Sequence, residues 1–232
     1  TERERYNRAN WHYIDGAWLR GQAQVQGNTY IRVAPFEDIA GKNTREFRNE
    51  ANADNVMAAL DYNTTVLTDS QASLPQRAVA LCWVLHLIGD IHQPLHTGSL
   101  YSANRFSTGD RGGNGIETDG RNLHASWDSA VSSDGVKTNF ETLVRQHSTT
   151  LERMSRQDNG DWSLWMQESR ALLLNTVYTE DMKSAIAGSD DSPDKLRKFN
   201  LSDDYVQTMK YHSGLRLALA GRRLASWFEA KL

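Results

Sequence analysis

Trp83–His96 reads WVLHLIGDIHQPLH, placing three histidines and an aspartate among apolar residues. Taking such groups into a core costs free energy unless each finds a hydrogen-bond partner or a metal ion. Upstream, Ser73 can cap a helix with Pro75 in its first turn, and Ala78, Leu81, Cys82, Leu85 and Ile88 carry an apolar helical period into the stretch. A helix reaching Gln93 sets His86 and Asp90 one above the other on one face. Pro94 has no N–H and disfavours helical backbone at Gln93, so the helix should end there with His96 just beyond it. His92 faces away from the His86–Asp90 side and is expected to support the site or lie on the surface. Cys82, the only cysteine, is expected in the core and cannot form an intrachain disulfide.

The flanking chain brings further histidines. In Trp11–Asp15, WHYID, the alternation suggests a short extended segment with His12 and Ile14 on one side. Gly16–Pro35 reads as loop with a weak strand near Tyr30–Val33, and Thr44–Leu67 as helix. Thr97–Arg121 is rich in Gly, Ser, Asn and Asp and closes on GDRGGNGIETDGRN, where Asp119-Gly120 favours a tight hairpin turn. Asn122 can cap a helix that sets His124 and Asp128 on one face. Beyond Val131 the pattern gives helices at about 136–155, 162–178 and 203–231, with loops at Asp158–Asp161 and Gly188–Asp194. His147 and His212 have no partner at ligand spacing and read as structural or exposed; Trp162, Trp165, Trp227 and Phe228 read as core. The fold class is mainly α: one compact helical domain with a short β-hairpin and a glycine-rich loop.

Composition narrows the function. The chain of 232 residues has 29 acidic and 26 basic residues, mixed along its length, so no basic stripe could hold duplex nucleic acid alone. Arg3, Arg5 and Arg8 read as solvated surface. No apolar run approaches the roughly 18 residues of a membrane span, Thr1–Arg8 is unlike a signal peptide, and nothing calls for an obligate protein partner. His12, His86, Asp90, His96, His124 and Asp128 form a nitrogen and oxygen donor set without cysteine, which suits catalytic zinc with an open position for water. The alternative for His86 and Asp90 is a buried hydrogen-bonded pair.

HLIGDIHQPLH, GDRGGNGI and NLHASWD, with WHYID upstream and WMQES downstream, resemble the zinc-dependent, single-strand-preferring nucleases of fungi, plants and bacteria, also called 3'-nucleotidase/nucleases and related to bacterial zinc phospholipases C. The resemblance implies one nuclease domain over residues 1–232 with a trinuclear zinc cleft. His12, His86 and Asp90 would serve one zinc, His96, His124 and Asp128 a second, and Asp90 would reach toward a third. Asp15 would orient or deprotonate the attacking water, and Tyr13 would stack on a base. Asn114 would hydrogen-bond the phosphate or leaving group, with a structural turn role the open alternative. Single-stranded RNA and DNA, and nucleotides, are the implied substrates, and secretion or a periplasmic location is implied. Family members carry a further N-terminal tryptophan and histidine and a Trp-Ala-Asp motif with a nearby arginine, which are expected upstream of Thr1. The rival readings are a zinc phospholipase C and a zinc-binding protein with an incomplete, inactive site. Asn63 and Asn200 match glycosylation acceptor patterns.

Overall fold

The computed structural model describes residues 6–15, 27–35, 50, 53–131, 136–155 and 161–232. Arg3 and Arg5, most of the loop expected from Gly16, the expected helix start at Thr44 and the loop at Asp158 lie outside them. In order, the elements are a 3₁₀ turn at Ala9–His12, β1 (Thr29–Ile31), α1 (Val56–Thr68), α2 (Leu74–Asp90), a 3₁₀ turn at Pro94–His96, β2 (Leu100–Ser102) and α3 (Leu123–Asp128). Then follow α4 (Val136–Gln146), α5 (Ser148–Ser155), α6 (Trp162–Leu172) running into a π-turn at Leu173–Val177, α7 (Glu180–Ser189) and α8 (Asp203–Lys231).

α1 starts where its cap allows. Asn55 Oδ1 accepts from Met57 N at 2.9 Å and Ala58 N at 3.0 Å, satisfying two of the unpaired N–H groups at the helix start. Asn55→Ala should therefore cost about 1 kcal/mol and lower the midpoint of thermal unfolding by about 2–4 °C. An unchanged midpoint, followed by circular dichroism, would refute the capping role. Within α1 Asn63 is buried and donates to Ala59 O at 2.8 Å, so its acceptor pattern is inaccessible in the folded chain.

α2 begins as expected, with Gln76 Oε1 reaching back to Ser73 N at 3.0 Å. It ends at Asp90, before Gln93, because His92 N and Gln93 N bond three residues back, to Gly89 O and Asp90 O, each at 3.0 Å. The tightened turn leads into extended backbone at Gln93, as the following proline requires. Its inward residues Ala80, Val84, Leu87 and Ile88 pack on α1, Trp162, Trp165 and Trp227, with Phe228 partly buried against them. Cys82 is exposed, not core as expected: the helical period turns it outward near Val79 and Leu85, both also exposed. A second cluster joins Leu95, Leu100, Ile116, Trp127, Tyr178, Phe199 and Met209, and α8 contributes to both.

Where α2 unwinds, buried carbonyls need new partners, and α6 and α8 supply them. Ser169 Oγ donates to Ile91 O at 2.6 Å, Arg216 Nε to His92 O at 3.2 Å and Arg170 Nε to Thr97 O at 2.8 Å. The buried Arg216 and Arg223 are both paired with Glu168. The backbone that presents His96 is thus clamped from beneath. The sheet is a parallel pair, Thr29 opposite Leu100, while the expected hairpin at Asp119-Gly120 closes as one antiparallel bridge between Glu117 and Asn122. Among the described residues no helix is long and apolar enough to cross a membrane.

Candidate metal centre

His12 comes to α2 on a turn, not on the extended segment expected. Trp11 is buried, donates from Nε1 to Ala53 O at 2.7 Å and packs edge-on against Trp83 with centroids 4.7 Å apart. That anchorage brings His12 Nδ1 to 3.0 Å from His86 Nε2 and 3.0 Å from Asp90 Oδ2, while His86 Nε2 lies 3.2 Å from the same oxygen. Donors at about 2.0–2.1 Å around a tetrahedral zinc stand about 3.3 Å apart, so these spacings suit a shared ion. In the second group, Asp128 Oδ1 lies 3.7 Å from His96 Nε2 and Asp128 Oδ2 lies 3.4 Å from His124 Nε2. Each triplet offers three donor atoms within 4.8 Å of one another.

Hydrogen bonds on the far side of the rings fix which nitrogen is free. His96 Nδ1 donates to His12 O at 2.5 Å and His124 Nδ1 to Gly112 O at 2.7 Å, so both Nε2 lone pairs face Asp128. Burial pushes the Asp90 carboxyl up, but His12, His86 and His96 outweigh it and hold the pKa at about 2. Asp128 is also held low, against burial, by His96, Gln93 and His124. Both carboxylates are therefore anionic at neutral pH. Donor chemistry and spacing allow each triplet to hold a metal ion.

Gln93 is a site residue missed by the sequence reading. Its Nε2 donates to Asp128 Oδ1 at 2.8 Å while its Oε1 accepts from Leu95 N at 2.5 Å. Gln93→Ala should cut turnover about 10–100-fold, the usual cost of losing a partner that orients a ligand. Activity with unchanged metal content and unchanged turnover would sink that role. His92 is neither a ligand nor on the surface: it is buried, with Nδ1 2.7 Å from Ile88 O and Nε2 2.9 Å from Arg223 Nη1. Burial and the neighbouring Arg216 and Arg223 push its pKa well down, so it stays neutral. His147 is buried and His212 half-buried, neither in a ligand group.

Beside the two triplets lies a cavity of about 370 Å³, lined among others by His12, Tyr13, Asp15, His96, Arg111, Asn114 and His124. Tyr13 is 43 % exposed beside this cavity. Asp15 Oδ1 accepts from Ser99 Oγ at 2.9 Å, and Ser99 Oγ accepts from Gly112 N at 2.8 Å. Burial raises the Asp15 pKa, with Ser99 and Arg170 opposing it. Asn114 uses its amide within the loop, donating to Arg111 O at 2.9 Å and accepting from Asn122 at 3.2 Å. The loop itself hangs on Asp110, which accepts from Leu100 N at 2.9 Å and Tyr178 OH at 2.9 Å and is pushed by burial up to about 6.

The family model for S1/P1 Nuclease matches residues 1–232. The chain belongs to the S1/P1 nuclease family. Among curated relatives, Nuclease S1 of Aspergillus oryzae is 26% identical over 186 residues, 75% of this chain and 61% of that protein. Endonuclease 4 of Arabidopsis thaliana is 31% identical over 159 residues, 63% of this chain and 48% of that protein. Endonuclease 2 of the same plant is 42% identical over 76 residues, 31% of this chain and 22% of that protein. The chain therefore spans 61% or less of the length of these relatives. Within the family match, the two triplets and the cavity lined by His12, His96 and His124 form the candidate site.

Proposed function

We propose that this chain carries the catalytic centre of a zinc-dependent endonuclease that hydrolyses phosphodiester bonds of single-stranded RNA and DNA, leaving 5'-phosphates, with 3'-nucleotidase activity on mononucleotides. The observation that supports it most is that two His/His/Asp triplets stand beside one cavity, which His12, His96 and His124 line together with the exposed Tyr13. Zinc held there would neutralise phosphate charge and supply hydroxide near pH 7. The residues of the chain do the rest. His12, His86 and Asp90 would hold one ion, His96, His124 and Asp128 another, and Asp90 would reach toward a third. Asp15, held by Ser99, orients the attacking water and receives its proton. Asn114 keeps the loop shaped around the phosphate. Membership of the family supports a secreted or periplasmic location.

Tyr13 provides the single-strand preference, because a base must leave its pair to lie on the ring. Tyr13→Ala should raise KM for single-stranded DNA about 10-fold or more, with a smaller change in kcat, since one stacked base contributes about 1–3 kcal/mol. A KM equal to that of the parent chain would exclude the stacking role. The function is tested by incubating metal-loaded protein with single-stranded DNA, duplex DNA and phosphatidylcholine, with and without chelator. Chelator-sensitive 5'-phosphate products from the single strand are expected. Release of phosphocholine without nucleotides would overturn the nuclease in favour of a phospholipase C, and full metal content without any turnover would overturn enzymatic activity of this chain.

A further inference from the structure

Arg111 sits in the glycine-rich loop and lines the cavity together with His12, Tyr13, Asp15 and His124. Its side chain is exposed and has no carboxylate partner among the described residues. By contrast Arg216 and Arg223 are paired with Glu168, Arg197 with Asp181 and Arg8 with Glu50. A free guanidinium beside donor groups that suit cations is repelled by what those groups bind. An anion on the open side of the cavity would pair with it and offset that repulsion.

The backbone gives a second, independent reason. Arg111 has φ +58°, in the left-handed region, and the nearby residues with positive φ are Gly109, Gly112 and Gly113. Glycine takes that conformation without steric cost, so an arginine at 111 is held against local preference. Residues kept in such conformations concentrate at sites of function. Arg111 O accepts from Asn114 N at 3.3 Å and Asn114 Nδ2 at 2.9 Å, which fixes the point from which the side chain extends. Arg32 shares the sign of φ, at +54°, but is absent from the lining of this cavity.

We propose that Arg111 binds a phosphate of the substrate strand adjacent to the one being cleaved, an assignment that rests on the single-strand nuclease reading above. Ions held by the triplets would take the charge of the scissile phosphate, and Tyr13 takes a base. The next phosphate along is the anion left without a partner, and a planar guanidinium fits its two free oxygens.

The test uses metal-loaded protein and a short single-stranded DNA over a series of salt concentrations, with a second substrate carrying one neutral methylphosphonate beside the cleaved linkage. Arg111→Gln should raise KM about 10-fold with kcat little changed. The slope of log(kcat/KM) against log[salt] should become shallower by about 0.7, the share of one single-strand phosphate. The parent chain should lose a similar factor on the methylphosphonate substrate, whereas Arg111→Gln loses nothing more. Arg111→Gly, which the backbone accommodates, should show the same loss of slope with an undiminished unfolding midpoint, excluding misfolding as the cause. An unchanged slope and an undiminished methylphosphonate penalty in either variant would overturn the assignment while single-strand cleavage by the parent chain stands. If the parent chain leaves single-stranded DNA intact, the nuclease reading falls, and this assignment with it.

Discussion

Asp90→Asn is expected to lower turnover of single-stranded DNA about 1,000-fold, beyond the about 10–100-fold cost of losing a residue that merely orients a ligand. Asp90 Oδ2 lies 3.0 Å from His12 Nδ1 and 3.2 Å from His86 Nε2, and its Oδ1 lies 3.9 Å from His96 Nδ1. One carboxylate therefore completes the first triplet and faces a histidine of the second. Asparagine keeps the shape but removes the charge and turns one oxygen into a donor, which repels a cation. Elemental analysis should show the first ion lost, and circular dichroism an unchanged helical signal, because α2 packs through Val84, Leu87 and Ile88. Near-parent turnover with full metal content would refute the assignment of the first group.

The donor pairs were legible in the sequence because their geometry is local. His86 with Asp90 and His124 with Asp128 need only a helix to meet, and both helices form, the second capped by Asn122 Oδ1 on Ala125 N at 2.8 Å. The bringing together of His12, His86 and His96 was not local. It depends on Trp11 reaching Ala53 and on Ile14 N bonding His96 O at 2.9 Å, contacts across long stretches of chain. Trp-His-Tyr-Ile imitates the alternation of a strand, so the 3₁₀ turn was hidden. α7 escaped notice because Met182 and Ile186 are its only fully buried apolar anchors. The charged clamp of Glu168, Arg216 and Arg223 was invisible for a related reason: a polarity pattern places charges outside, and only tertiary contact shows that these pair within. WMQES, quoted for its resemblance, turns out to supply that clamp through Glu168 and Ser169.

Gly112→Ala should damage both the fold and the site. At φ +58°, an added Cβ would stand 2.2 Å from Leu95 O, a backbone atom next to His96 that cannot swing aside. The left-handed conformation costs an alanine about 1–2 kcal/mol, and forcing the overlap apart about 1–3 kcal/mol more, for a total of about 2–5 kcal/mol. The site is affected through the same residue, since Gly112 N donates to Ser99 Oγ, the support of Asp15, and Gly112 O holds His124 Nδ1. A displacement of about 1 Å there is enough to cost about 100-fold in rate, so the variant should be slow even when assayed well below its unfolding midpoint. Gly120→Ala is the matched control: nothing lies within 4 Å of its added Cβ, and its stability should stay within about 0.5 kcal/mol of the parent chain. Equal midpoints and equal turnover for Gly112→Ala and Gly120→Ala would show that the loop is not what holds His124 and Asp15 in place. A large loss confined to Gly112→Ala would tie both His124 and Asp15 to one backbone unit.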